Sequence, residues 1–132
     1  MDAASHFAPS YAQARQKFLA AADAAGLDVE SHPHPMLGRD GEALAMDVVR
    51  EGPRDAASLL LVTSACHGAE GFCGSGVQVA LLRSPAWHAR VHEHGVAVLD
   101  VVEVFDDGLG RGDAAAGAEV PLQVADPQDQ LG

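Results

Sequence analysis

Residues 58–83 read SLLLVTSACHGAEGFCGSGVQVALLR, and the succession of patterns within them decides the fold class. Leu59, Leu60, Leu61 and Val62 make a short continuous apolar run. Such a run predicts a strand buried on both faces, as in a parallel sheet covered by helices. Ser64, Ala65 and Cys66 then narrow the chain into a turn, in which His67 and Glu70 stand three apart among Gly68 and Gly71. From about Gly74 the apolar residues Val77, Ala80 and Leu81 fall into helical spacing. Strand, polar loop and helix in this order predict an α/β fold. Ligands of open α/β sheets bind beyond the carboxyl ends of the strands, where this loop falls.

Upstream, Ser10 and Gln13 form a capping-box pattern. Tyr11, Ala14, Phe18, Ala22 and Ala25 share one face at three- and four-residue spacing, and Gly26 follows where a left-handed cap is wanted. A helix over 10–25 is predicted. Residues 27–42 contain His32-Pro33-His34-Pro35 and Gly38-Arg39-Asp40-Gly41, which predict a loop or a hairpin turn. Leu44, Met46, Val48 and Val49 alternate with Ala43, Ala45 and Asp47, predicting a strand, and Gly52-Pro53-Arg54-Asp55 makes the next turn.

Downstream, Pro85 suits the first turn of a short helix reaching about Glu93. Gly95 opens a second buried strand through Val96, Ala97, Val98 and Leu99. Two strands joined by helical material suit a right-handed βαβ crossover. Residues 106–132 differ in kind: they have no aromatic, little periodicity and many acidic and small residues. The predicted organisation is a domain over 1–105 followed by an acidic, poorly ordered tail.

The 132 residues suffice for one domain with a real core. A hydrophobic fraction of 48% with 20% charged residues is that of a globular chain. The absence of isoleucine and asparagine, with Lys17 as the only lysine, points to a GC-rich genome rather than to a function. A net charge of −11 argues against a nucleic-acid partner, which asks for a basic face. No apolar run approaches the roughly 20 residues that span a bilayer, and residues 1–6 lack the features of a secretory signal. A cytoplasmic protein without membrane contact is expected, with Cys66 and Cys73 as free thiols.

His67 and Glu70 offer an imidazole nitrogen and a carboxylate oxygen, both good zinc donors. Catalytic zinc takes three protein ligands and a water, whose pKa it lowers towards 7. Other chemistries fit less well. Gly71-x-x-Gly74-x-Gly76 lacks both the dinucleotide fingerprint and the Lys-Ser/Thr ending of a phosphate loop. Ser75 in Cys-Gly-Ser-Gly-Val misses the Gly-x-Ser-x-Gly elbow. Cys66 and His67 are adjacent, so on a strand end their side chains point apart, and Cys73 is expected to be a packing residue. His88 and His92 share a helix face at a spacing that can hold a metal, but a solvated surface is the plainer expectation. His32 and His34 are expected in an exposed loop.

Several pieces together resemble a known family. They are Ser10-Tyr11-Ala12-Gln13-Ala14-Arg15, Phe18-Leu19-Ala20-Ala21-Ala22, His34-Pro35 with Gly38-x-x-Gly41, and Leu44-Ala45-x-Asp47-Val48. The most specific is the run from Thr63 to Ser75, TSACHGAEGFCGS. From Phe7 to about Leu99 the chain resembles the N-terminal part of a bacterial domain-of-unknown-function (2817) family in the zinc carboxypeptidase-like superfamily. The resemblance implies a three-layer α/β/α sandwich around a mixed sheet, with His67 and Glu70 as the first two zinc ligands. It also implies a family-level hydrolase of peptide or amide bonds, acting on a small peptide or amide substrate.

From Asp100 onward the family pattern is lost. The family's Asn-Pro-x-Gly-Phe loop, third zinc histidine and glutamate base have no counterpart in a chain without asparagine and without histidine after His94. A piece truncated after the first strands, with an incomplete zinc site and no turnover, is therefore expected. The alternative is a non-catalytic α/β fragment or small binding domain. Ending early leaves a sheet edge open, which predicts self-association.

Overall fold

The computed structural model describes residues 2–65 and 70–102. After a short 3-10 turn at Ala3–His6, the elements are α1 (Tyr11–Ala24), β1 (Val29–Leu37), β2 (Ala43–Glu51), β3 (Leu59–Ser64), α2 (Gly71–Leu82), α3 (Pro85–His94) and β4 (Ala97–Val102). The strands form one mixed sheet in the order β1-β2-β4-β3. β1 runs antiparallel to β2 and β2 to β4, while β4 runs parallel to β3. The parallel pair needs a crossover, which α2 and α3 supply. The predicted mixed α/β fold is the one observed, and the acidic tail at 106–132 lies outside the described residues.

The helix starts obey their sequence signals. Ser10 Oγ accepts from the Gln13 amide at the head of α1, and Ser84 Oγ from the Trp87 amide at the head of α3. Pro85 opens α3, and Gly26 takes the left-handed φ of +70° beyond α1. Along β2 burial alternates strictly, with Ala45, Asp47, Val49 and Glu51 inward. The register sets them level with Val102, Asp100 and Val98 of β4 on one sheet face. That face packs against Tyr11, Ala14, Phe18, Ala21 and Ala22 of α1 and Val79 and Leu82 of α2. The described residues therefore build the mixed sheet and one helical layer on it.

Four sequence expectations are corrected. Of the loop or hairpin turn expected over 27–42, the hairpin turn is observed at residues 38–42, and the rest is largely strand: β1 runs through Pro33 and Pro35. Proline is tolerated there because β1 is an outer strand, and its register shifts between Pro33 and Leu37. β3 is not buried on both faces. It is the other outer strand, with Leu59 57%, Leu60 43% and Leu61 56% exposed. A continuous apolar run thus marks a strand here without marking its burial. Finally, α2 begins at Gly71 rather than near Gly74, and Cys73 is an exposed free thiol rather than a packing residue.

Candidate functional site

The carboxyl end of β3 turns sharply before α2. Ala65 is buried and holds a φ of +64°, the only positive φ among the described non-glycine residues. For an alanine that conformation costs about 1–2 kcal/mol, so surrounding structure imposes it. Residues 66–69 follow, and His67 among them lies outside the described residues, as does Cys66. Glu70 is exposed at the N-cap of α2, where its carbonyl accepts from the Cys73 amide at 3.0 Å. The helix descends close against the strand it has just left. A Cβ on Gly74 would stand 2.6 Å from the Cβ of Ser64, so only glycine permits this approach.

Beneath the turn runs a line of buried polar groups. Gln78 of α2 is 1% exposed. Its Nε2 donates to the carbonyls of Val62 at 3.0 Å and Val101 at 3.2 Å, and its Oε1 accepts from Ser64 Oγ. One amide thereby ties α2 to both parallel strands. Gln78 also reaches the Asp100 carboxyl. Burial pushes Asp100 up to about 6, assisted by the charge of Glu51 and opposed by Gln78 and His88. Glu51 is buried likewise, and its Oε1 lies 2.7 Å from His88 Nδ1 and 3.8 Å from His92 Nε2. Glu51 Oε2 and Asp100 Oδ1 are buried without a hydrogen-bond partner among the described residues.

His88 thus departs from the solvated surface expected of it. It is three-quarters buried, while His92 remains exposed. His32 and His34 are exposed as expected, though on β1 rather than in a loop. His32 pairs with Glu30 at 3.1 Å.

A second buried ion pair lies across the same face. Arg15 of α1 grips Asp47 of β2 with two hydrogen bonds, Nε to Oδ2 at 2.7 Å and Nη2 to Oδ1 at 3.0 Å, and Ser31 Oγ adds a third. One turn earlier, the Tyr11 hydroxyl accepts from the Ala45 amide at 2.8 Å and donates to the Ala45 carbonyl at 3.1 Å. A shallow depression of about 480 Å³ lined by Tyr11, Arg15, Leu19 and Glu42 adjoins these contacts and contains no residue of 58–83. The charge of Arg15 there is already taken by Asp47.

Sequence reasoning missed Asp47, Glu51, Asp100 and Gln78 as buried polar residues. The signal for two of them was present: Asp47 and Glu51 share the strand parity of Ala45 and Val49. An acidic residue on the buried parity needs a partner, and Arg15 on the apolar face of α1 supplies one.

Zinc asks for at least three protein donors. Among the described residues no three His, Cys, Asp or Glu side chains come together to hold a metal ion. Of the expected pair, only Glu70 falls within them. The described residues do not by themselves fit zinc. Among the same residues no helix is long and apolar enough to cross a membrane.

Solved structures similar to this chain include the glutaminyl cyclase of Porphyromonas gingivalis, at 17% identity and a TM-score of 0.49, covering 82% of this chain and 42% of that one. The glutaminyl cyclase of Fimbriiglobus ruber matches at 15% identity and a TM-score of 0.47, covering 72% and 37%. This chain thus spans less than half the length of either. No curated protein matches it. The family model described as "Protein of unknown function (DUF2817)" matches residues 7–105, beyond the Leu99 at which the resemblance stopped. The match covers three-quarters of the sequence and takes in the β3 turn and the whole polar line beneath it; the chain belongs to the DUF2817 family.

Proposed function

We propose that this chain supplies the first part of a zinc-dependent, carboxypeptidase-like hydrolase of peptide or amide bonds, with His67 and Glu70 as two of the metal ligands. One observation carries the reading: β3 leaves the sheet through the left-handed Ala65, and Glu70 stands at the N-cap of α2 beyond the carboxyl end of this parallel strand. That is where open α/β sheets bind their ligands. Two donors hold zinc weakly, and the third ligand and the general base belong to no residue identified in this sequence. The chain alone is therefore expected to bind metal without hydrolysing anything. A small peptide or amide remains the substrate class of the complete enzyme, and a second copy is the partner proposed for the open β3 edge.

Zinc stoichiometry tests the metal site, read by dialysis and elemental analysis on the wild type, His67→Ala and Glu70→Ala. Weak, sub-stoichiometric binding that disappears in both variants supports it. Equally low binding by all three proteins removes the metal role from this pair. A different observation favours the alternative of a non-catalytic α/β domain. The best-defined polar contacts, those of Gln78 with two strand carbonyls and of Glu51 with His88, hold elements together.

A further inference from the structure

His88 sits between two oxygens. Its Nδ1 is 2.7 Å from Glu51 Oε1 on β2, and its Nε2 is 2.9 Å from the carbonyl of Leu82, the last residue of α2. A neutral imidazole has one N–H and one lone pair. With both neighbours acceptors, a neutral ring would set its lone pair against a carbonyl or carboxylate oxygen. The arrangement closes only with one more proton in the pair. That proton belongs on the imidazole, whose ordinary pKa stands about two units above that of a glutamate.

We infer that His88 is held as an imidazolium that clamps the C-terminal end of α2 and the body of α3 onto Glu51 of the sheet, so that docking of this helical corner depends on a bound proton. Three elements meet at this one ring. α3 presents it, β2 supplies the buried carboxylate, and α2 supplies a carbonyl at its negative dipole end, where a cation is favoured. The titratable groups facing the ring are Glu51 from β2 and Asp100 from β4, with His92 on its own helix 3.8 Å from the shared Glu51 oxygen. The Arg50 guanidinium, next in sequence to Glu51, is engaged by the carbonyls of Pro53 and Arg54 and does not compete for the carboxylate. Burial works against the charge on His88. The hydrogen bonds to Leu82 and Glu51 and the negative charges of Glu51 and Asp100 outweigh it, and the pKa rises above its ordinary 6.5.

The sign follows. A raised histidine pKa gives the clamp its full strength below about pH 6.5, and the strength is lost as pH rises through the higher folded value. Deprotonation breaks one of the two contacts and leaves Glu51 without its cation. The helix released at its far end is the one whose N-cap is Glu70, so the proton on His88 bears on that end of α2 from the opposite one.

The whole 132-residue chain, labelled with nitrogen-15 and carbon-13, tests this without any substitution. Imidazole nitrogen shifts are followed from pH 5 to 9 together with amide exchange over residues 85–94, corrected for its intrinsic pH dependence. The expected result is a doubly protonated His88 at pH 7 that titrates above 6.5, with corrected α3 exchange rising several-fold through the same midpoint. A neutral tautomer at pH 7 overturns the imidazolium. Flat corrected exchange across the titration overturns the coupling to docking. Glu51→Gln gives a further check: the His88 midpoint should fall in a protein that keeps the Arg15–Asp47 contact.

Discussion

Asp100 shows what burial does to a single carboxylate. Its ordinary pKa of 3.8 rises to about 6 because the strand face that holds it is dry and Glu51 stands near. Between those two values the folded chain holds a proton that the unfolded chain has lost. The contribution of this group to stability is therefore fully present below about pH 3.8 and lost as pH rises through about 6. A difference of that size corresponds to at most about 3 kcal/mol. Asp100→Asn keeps the shape and removes the titration. Urea denaturation at pH 4.5 and at pH 7.5 should show the variant gaining about 2 kcal/mol on the wild type between the two. An unchanged difference would mean that Asp100 titrates normally. At this scale the sequence was uneven. His67 and Glu70 stand out in it because glycines surround them, and of the two only Glu70 falls within the described residues. Asp100 lies inside an apolar run that begins at Val96 and within the family match that reaches residue 105, and nothing local marks it as buried. A charge in a buried strand declares itself through its neighbours in space, and Gln78 and His88 lie 22 and 12 residues away in sequence.

Between elements, the contact with most at stake is that of α1 with β2. Asp47 is 1% exposed and accepts from Arg15 and Ser31 at once. Removing one member of such a pair strands the other, which costs about 3–5 kcal/mol in buried settings. Arg15 retains a quarter of its exposure and can turn towards water, so Asp47→Ala should cost about 3 kcal/mol, at the lower end of that range. Replacing both residues, Arg15→Met with Asp47→Leu, should cost much less, because no charge is then left without a partner. Equilibrium unfolding in urea measures both. A loss below about 1 kcal/mol for Asp47→Ala would show that the pair is solvated rather than buried. Helices were the most legible elements because their starts are chemically marked: Ser10 caps α1 and Pro85 opens α3 as the sequence foretold. β1 was not legible, since His-Pro-His-Pro describes a loop unless the strand is known to be an edge. Edge position is set by the order of strands in the finished sheet, which no local window contains. β3 was misplaced for the same reason.

At the scale of the whole molecule, the sheet of the described residues has two outer strands of opposite character. β1 carries Pro33, Pro35, the charged Glu30 and a register shift, all of which discourage a further strand from pairing. β3 carries none of these. Its sequence LLLVTS has no charge and no proline, and Leu59, Leu60 and Leu61 are each about half exposed. An outer strand of this kind offers unpaired backbone groups beside apolar side chains, and strand addition satisfies both at once. The occupant that needs no other molecule is a second copy, β3 against β3. The net charge of −11 opposes bringing two chains together, and the neutral β3 lets the acidic residues stay at a distance. Salt therefore enters the prediction with a definite sign: screening the repulsion should strengthen association. Sedimentation velocity across a concentration series is expected to show reversible oligomers, more of them at 0.5 M than at roughly 0.05 M salt. Leu61→Lys places a cation on the pairing strand without touching the packed sheet face, and should leave a monomer with the same circular dichroism. A wild type that stays monomeric at every concentration and salt would close the β3 edge as an interface. Oligomers that persist in Leu61→Lys would move the interface elsewhere on the molecule.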